Sequence, residues 1–206
     1  MNHSIKRVLC ILALSSPTLV MANEACDKLK SGILVDVFGS DASIATFREG
    51  SKYVPHKLCT ASWDKPNHQE LTKAVTQYET QKAMAKMLKQ EFNKIAPPAA
   101  GYSVSLTIID QIFDSPQDAV ASLENTVTEL SKGVNVTVKG KVHTTQVEFN
   151  DWIEDIGNKA IWAPKLGELQ VADNNGRFAV TVKGFSDASQ NLSKAVNLAK
   201  QIVNDH

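Results

Sequence analysis

The chain has 206 residues, with 22 lysines and arginines against 22 aspartates and glutamates, and 43% of its residues are hydrophobic. That length and apolar content suit one domain with a substantial core. An even charge balance argues against a nucleic-acid binder, which needs a basic face to neutralise phosphates.

The chain opens on Lys6 and Arg7, followed by an apolar run from Val8 to Leu14 that is too short to span a bilayer. Pro17 breaks the run, and Val20-Met21-Ala22 places small residues where a signal peptidase reads. Residues 1–22 therefore read as a secretory signal peptide, leaving 23–206 as the mature domain, periplasmic or secreted. With Lys6 and Arg7 gone, its net charge is about −2, and it holds no second apolar run long enough to span a membrane. Cys10 lies inside the apolar run and Cys26 follows the polar Asn23-Glu24-Ala25, so neither fits a lipid attachment site. Two cysteines remain, Cys26 and Cys59, and in an oxidising compartment they predict one disulfide.

Asn23 to Lys30 reads as a short helix, and Ser31 as the N-cap of a second one carrying Ile33, Leu34, Val37 and Phe38, closed by Gly39. Ser40 to Pro55 is loop-like, and Leu58 to Trp63 alternates as a strand. From Asn67 or His68 a helical pattern runs through Leu71, Val75, Tyr78, Ala85, Leu88, Phe92 and Ile95 to Pro97-Pro98. Met84 and Met87 on it are predicted to fill gaps in the core, an adaptable groove being the other use of methionine. Tyr102 to Ile109 is a β-branched strand with Val104, Leu106 and Ile108 on one face.

Ser115-Pro116-Gln117-Asp118 is a helix start: a capping hydroxyl, a proline suited to the first turn and an acid at the positive end of the helix. Gly133 closes this helix. Strands follow at Val134 to Val138, at Val142 to Phe149 beyond a turn at Gly140, and at Lys159 to Trp162 beyond a turn over Asp155 to Asn158. Leu169 to Val171 and Phe178 to Val182 form a hairpin across Asp173-Asn174-Asn175-Gly176. Ser189 leads a last helix whose apolar face is Leu192, Ala195, Val196, Ala199, Ile202 and Val203. The pattern predicts a single α+β domain with one disulfide, its mainly antiparallel sheet packed on one face by the long, middle and C-terminal helices.

Two groups of residues carry a family resemblance. One is Cys26-Asp27-Lys28-Leu29, the helix ending at Phe38-Gly39, and Cys59-Thr60-Ala61-Ser62-Trp63. The other is Asp155-Ile156-Gly157-Asn158-Lys159-Ala160-Ile161-Trp162, the strand pair after it and the alanine-rich last helix. Together they resemble a broad class of bacterial exported proteins and lipoproteins with paired cysteines, a C-x-x-S/T-W strand and a G-D-x-A-x-W turn. Asn158 stands where that turn usually has Asp. The resemblance implies a compact α/β sandwich in the bacterial envelope and no particular activity.

Chemistry-bearing residues are sparse. His56 and His68 are twelve apart without a companion ligand, and His143 and His206 stand apart from them, so no metal site is predicted. No nucleophile elbow, no S-x-x-K next to an active-site strand and no phosphate-binding glycine motif is identified, so neither catalytic residues nor a cofactor are assigned. The acids Glu148 and Asp151, or Glu154 and Asp155, could support glycoside chemistry, but a charged run is usually a solvated face. Trp63 and Trp162 are expected in the core on facing strands. Trp152, among polar residues, is expected at the surface. Phe149, Trp152, Glu154 and Asp155 are therefore the candidate contact surface. The expected function is a non-enzymatic binding module whose partner is another envelope or secreted protein. The alternatives are an inhibitor or immunity protein against a toxin or wall hydrolase, and a hydrolase with an unrecognised site.

Overall fold

The computed structural model describes residues 24–30, 32–50, 56–109, 111–138, 141–185 and 187–205. The signal peptide read over 1–22, the Ser31 cap, the Gly140 turn and His206 lie outside them. In chain order the elements are helices α1 (Glu24–Lys30) and α2 (Ile33–Phe38), a 3-10 turn (Ser40–Ile44), strands β1 (Thr46–Glu49) and β2 (His56–Asp64), and helix α3 (His68–Met87). Then come β3 (Gly101–Ile109), α4 (Pro116–Lys132), β4 (Val134–Val138), β5 (Lys141–Thr145) and β6 (Trp152–Ile153). The chain closes with β7 (Lys159–Ala163), β8 (Glu168–Asp173), β9 (Gly176–Lys183) and α5 (Ala188–Asn204).

Seven strands form one antiparallel sheet in the order β1-β2-β3-β9-β8-β7-β6. Strands β4 and β5 pair with each other as a separate ribbon. The α+β class holds, with a disulfide joining Cys26 of α1 to Cys59 of β2. Val104, Leu106, Leu169, Val171, Val180, Val182 and Trp162 point to one face and are buried in one cluster with Leu29, Leu34, Leu198 and Ile202. Helices α1 and α5 lie on that face, and α2 packs on α5. Full burial of one such aliphatic side chain stabilises by about 1.5–3 kcal/mol.

The helices do not share one face. Helix α4 packs against β8 and β9 and sets Ala119 and Leu123 on Ile161 and Ala172, which point the other way. The reason is visible in β7 and β8, where consecutive residues are buried, as in any strand covered on both sides. Its N-terminus forms as the sequence predicts: Ser115 Oγ accepts from the Asp118 amide, and Pro116 opens the first turn. Helix α5 is capped by Asp187 and not led by Ser189, because the Asp187 carboxylate accepts from the Ser189 amide.

Helix α3 departs furthest from expectation. It ends at Met87, well before Pro97, and only Ala85 on it is buried. Lys89 takes a left-handed conformation (φ 53°). The Lys89 amide donates to the Lys86 carbonyl and the Gln90 amide to the Ala85 carbonyl. This is a Schellman ending with lysine in the position glycine usually takes. The chain then turns back, and Phe92 meets Tyr78 edge-on at 5.2 Å. The thin apolar stripe of α3 is thus covered by its own return segment, and the helix makes no more than slight contact with other elements. Met84 and Met87, expected in the core, are 51% and 76% exposed.

Other corrections are smaller. The stretch read as loop contains β1, whose four residues are all exposed and so carry no alternating apolar signal. The strand read over Val142 to Phe149 ends at Thr145, because the following residues bond to the end of α4. There the Val147 amide reaches the Leu130 carbonyl and Gln146 Nε2 the Ser131 carbonyl. Trp63 and Trp162 are buried as expected, but they belong to one sheet and point to the same side of it.

Candidate functional site

The predicted contact residues surround the β6 edge of the sheet. Trp152 pairs with Ile161 and keeps 38% of its surface exposed, and Lys159 lies 4.3 Å from the centre of its ring. Lys159 is also ion-paired with Glu124 of α4, which holds the cation against the indole. Phe149 is half-buried and packs against the α4 side, while Glu154 and Asp155 are exposed in the bend that follows. A shallow groove of about 460 Å³ runs past Phe149, Asn150, Asp151, Trp152 and Ile153 to Leu192.

The bend itself is a packing device. Ile156 is 1% exposed within the main core. Gly157 sits at φ 55°, where an added Cβ would come within 2.7 Å of the Ala172 carbonyl oxygen. The Asn158 amide donates to that same carbonyl. Asn158 thus ties the turn through its backbone.

A second concavity is assembled from distant segments. It lies at the end of the sheet where His56 pairs with Ile109 and the β8–β9 turn reaches Gly176. Its volume is about 450 Å³, within the range of small-ligand pockets. Leu106, Ile108, Phe178 and Ile202 form an apolar floor. Ile109 and the strap Gln111–Ile112 line one side, and the turn residues Asp173 to Gly176 another. The strap is tied to the turn because the Phe113 amide donates to the Asn175 carbonyl. Asn174 adopts φ 47° to close that two-residue turn. At the rim Lys57 pairs with Glu24 at 2.9 Å, and Lys28 stands nearby. Ile112 projects from the rim 90% exposed.

Arg177 adds an electrostatic anomaly beside this cleft. It is 7% exposed, and its Nη1 donates to Ser122 Oγ at 2.9 Å and Thr126 Oγ1 at 3.0 Å on α4. Its Nε is buried without a partner among the described residues. Burial lowers its pKa from the usual arginine value. Two hydroxyls are weaker company than a carboxylate, so the guanidinium is held at a cost.

The histidines do not converge. His56 starts β2 and His68 follows its far end, where it meets the Asp64 carboxylate and the Ala100 carbonyl oxygen. The length of β2, roughly 26 Å at 3.3 Å per residue, separates them. The His143 side chain lies outside the described positions.

The cleft escaped the sequence reading because its lining comes from α1, β2, β3, the Gln111–Ile112 strap, the β8–β9 turn, β9 and α5, segments far apart in the sequence. In comparison with known proteins, no family model, curated protein or solved structure matches this chain.

Proposed function

We propose that this chain is an exported, non-enzymatic binding module of the bacterial envelope, and that the cleft holds an amphipathic ligand. The observation that carries this reading is the apolar floor of Leu106, Ile108, Phe178 and Ile202 under a charged rim. An apolar ligand body gains from leaving water on such a floor, while a polar head group stays at Lys28, Asp173 and the turn. The Cys26–Cys59 disulfide supports an oxidising compartment. Among the described residues no helix is long and apolar enough to cross a membrane.

The test is titration with the apolar fluorophore N-phenylnaphthylamine. Saturable binding near one per chain is expected, abolished by Ile108→Trp, which fills the cleft, and weakened by Ile112→Asp at the exposed rim. A fluorescence increase that neither variant alters would overturn the assignment.

A second reading is favoured by Trp152. A two-residue edge strand bearing an exposed indole with a fixed cation suits a partner protein that adds a strand there. An inhibitor or immunity protein would use such an edge. In affinity capture, Trp152→Ala would then lose a partner that Ile112→Asp retains.

A further inference from the structure

We infer that the tip of α3 docks on an anionic lipid surface. This helix leaves the sheet where Asp64 of β2 pairs with Gly101 of β3, at the opposite end from the cleft. Its base is fixed by the Lys65 amide and His68 Nδ1, both of which meet the Ala100 carbonyl oxygen. The inner stripe of the helix faces its own return segment, where Tyr78 meets Phe92 and Lys94 donates to Gln81 at 2.7 Å. The last turn carries three apolar side chains that stay largely exposed: Met84, Met87 and Leu88, 51%, 76% and 63%. Their i, i+3, i+4 spacing places them on one side of the helix.

Charge decides what covers them. From Glu79 to Ile95 the sequence has four lysines, at 82, 86, 89 and 94, against two acids, Glu79 and Glu91, and Glu79 pairs with Lys82 at 3.9 Å. The overall charge balance of the chain is even, so this end is locally basic. Lys86 and Lys89 are exposed and have no ion-pair partner among the described residues. Lys89 follows Leu88 in the Schellman turn that ends the helix. Flexible apolar side chains ringed by lysine stems are the combination that enters a lipid interface. The apolar groups leave water while the amines stay at the head groups. A protein partner of opposite charge would be met by the same lysines. The narrow, self-supported tip, however, offers three apolar side chains and no groove or flat face of the area a stable protein interface needs.

The test is co-sedimentation of the processed chain, residues 23–206, with vesicles. Phosphatidylglycerol mixed with phosphatidylethanolamine is one composition, and phosphatidylcholine alone is the other. Retention is expected on the anionic vesicles, with a steep loss as salt rises, and none on the neutral ones. Met87→Asp with Leu88→Asp should abolish it. Lys86→Glu with Lys89→Glu should reduce partition at least about tenfold. All four positions are exposed, so the variants should melt with the parent chain. Failure to sediment with anionic vesicles would overturn the inference. So would retention unaffected by either double variant, or a concentration-dependent dimer broken by the apolar one. Neither double variant touches the cleft, so fluorophore binding should stay unchanged in both, and the two proposals can fail separately.

Discussion

Reduction of the Cys26–Cys59 bond, or its removal by Cys26→Ala with Cys59→Ala, should destabilise the whole domain and not just its first helix. The bond closes a loop with a sequence separation of 33. In the chain-entropy model a loop of that length restricts the unfolded chain by about 3–4 kcal/mol. Cys26 is 1% exposed and Cys59 is fully buried beside Leu106, so alanine at both positions also leaves a small void. For a chain of this size each kcal/mol moves the melting temperature by about 2–4 °C, which gives a fall of roughly 6–16 °C. The assay is thermal unfolding by circular dichroism, oxidised against reduced, with reduction confirmed by mass. Hydrogen exchange adds a second readout: because the constraint acts on the unfolded ensemble, amides of β3 and β9 should lose protection along with those of α1. A melting temperature that moves by less than about 2 °C on full reduction would refute the reasoning. So would exchange that accelerates in α1 alone.

Three further outcomes follow from particular contacts. Arg177→Met should be neutral or stabilising in urea denaturation, because it removes a buried guanidinium that, among the described residues, is held by the Ser122 and Thr126 hydroxyls. A loss above about 2 kcal/mol would show that the charge has a partner the contacts do not reveal. Leu123→Ala should cost about 2–5 kcal/mol, since Leu123 is fully buried between α4 and the sheet; a loss under 1 kcal/mol would mean that α4 is not firmly seated. The Asp187 carboxylate is held below the usual range by the Ser189 hydroxyl and amide, so its contribution to the start of α5 is present above the unfolded pKa. That contribution is lost as pH falls through the lower folded value. The Ser189 amide resonance should therefore titrate below the ordinary aspartate range, and a midpoint at the ordinary value would contradict the cap.

Where local chemistry decides an element, the sequence already contains it. Ser115 and Pro116 announce α4, the Asn174–Asn175 turn announces the β8–β9 hairpin, and Val104, Leu106 and Ile108 mark the buried face of β3. Two kinds of information are harder to read. One is a helix ending without glycine: Lys89 accepts the left-handed conformation, so the periodicity through Leu88, Phe92 and Ile95 continues past the true end of α3. The other is which side of the sheet a helix covers. The burial of Ala160, Ile161 and Trp162 in succession signalled cover on both faces, yet it resembles any short apolar run until strand neighbours are known. The exposure of Trp152 was legible because an aromatic stood among acids. The cleft was not, because hydrophobic residues that line a cavity and those that fill a core look alike in sequence.

The proposed ligand cleft is tested most directly by mapping where an apolar probe binds. Amide shifts of residues 23–206 would be followed by heteronuclear NMR during titration with N-phenylnaphthylamine. The account predicts saturating changes at Leu106, Ile108, Phe178 and Ile202 and in the turn from Asp173 to Gly176, with Trp152 and Met87 unmoved. Changes centred on Trp152 or on the tip of α3, with the cleft residues silent, would contradict it.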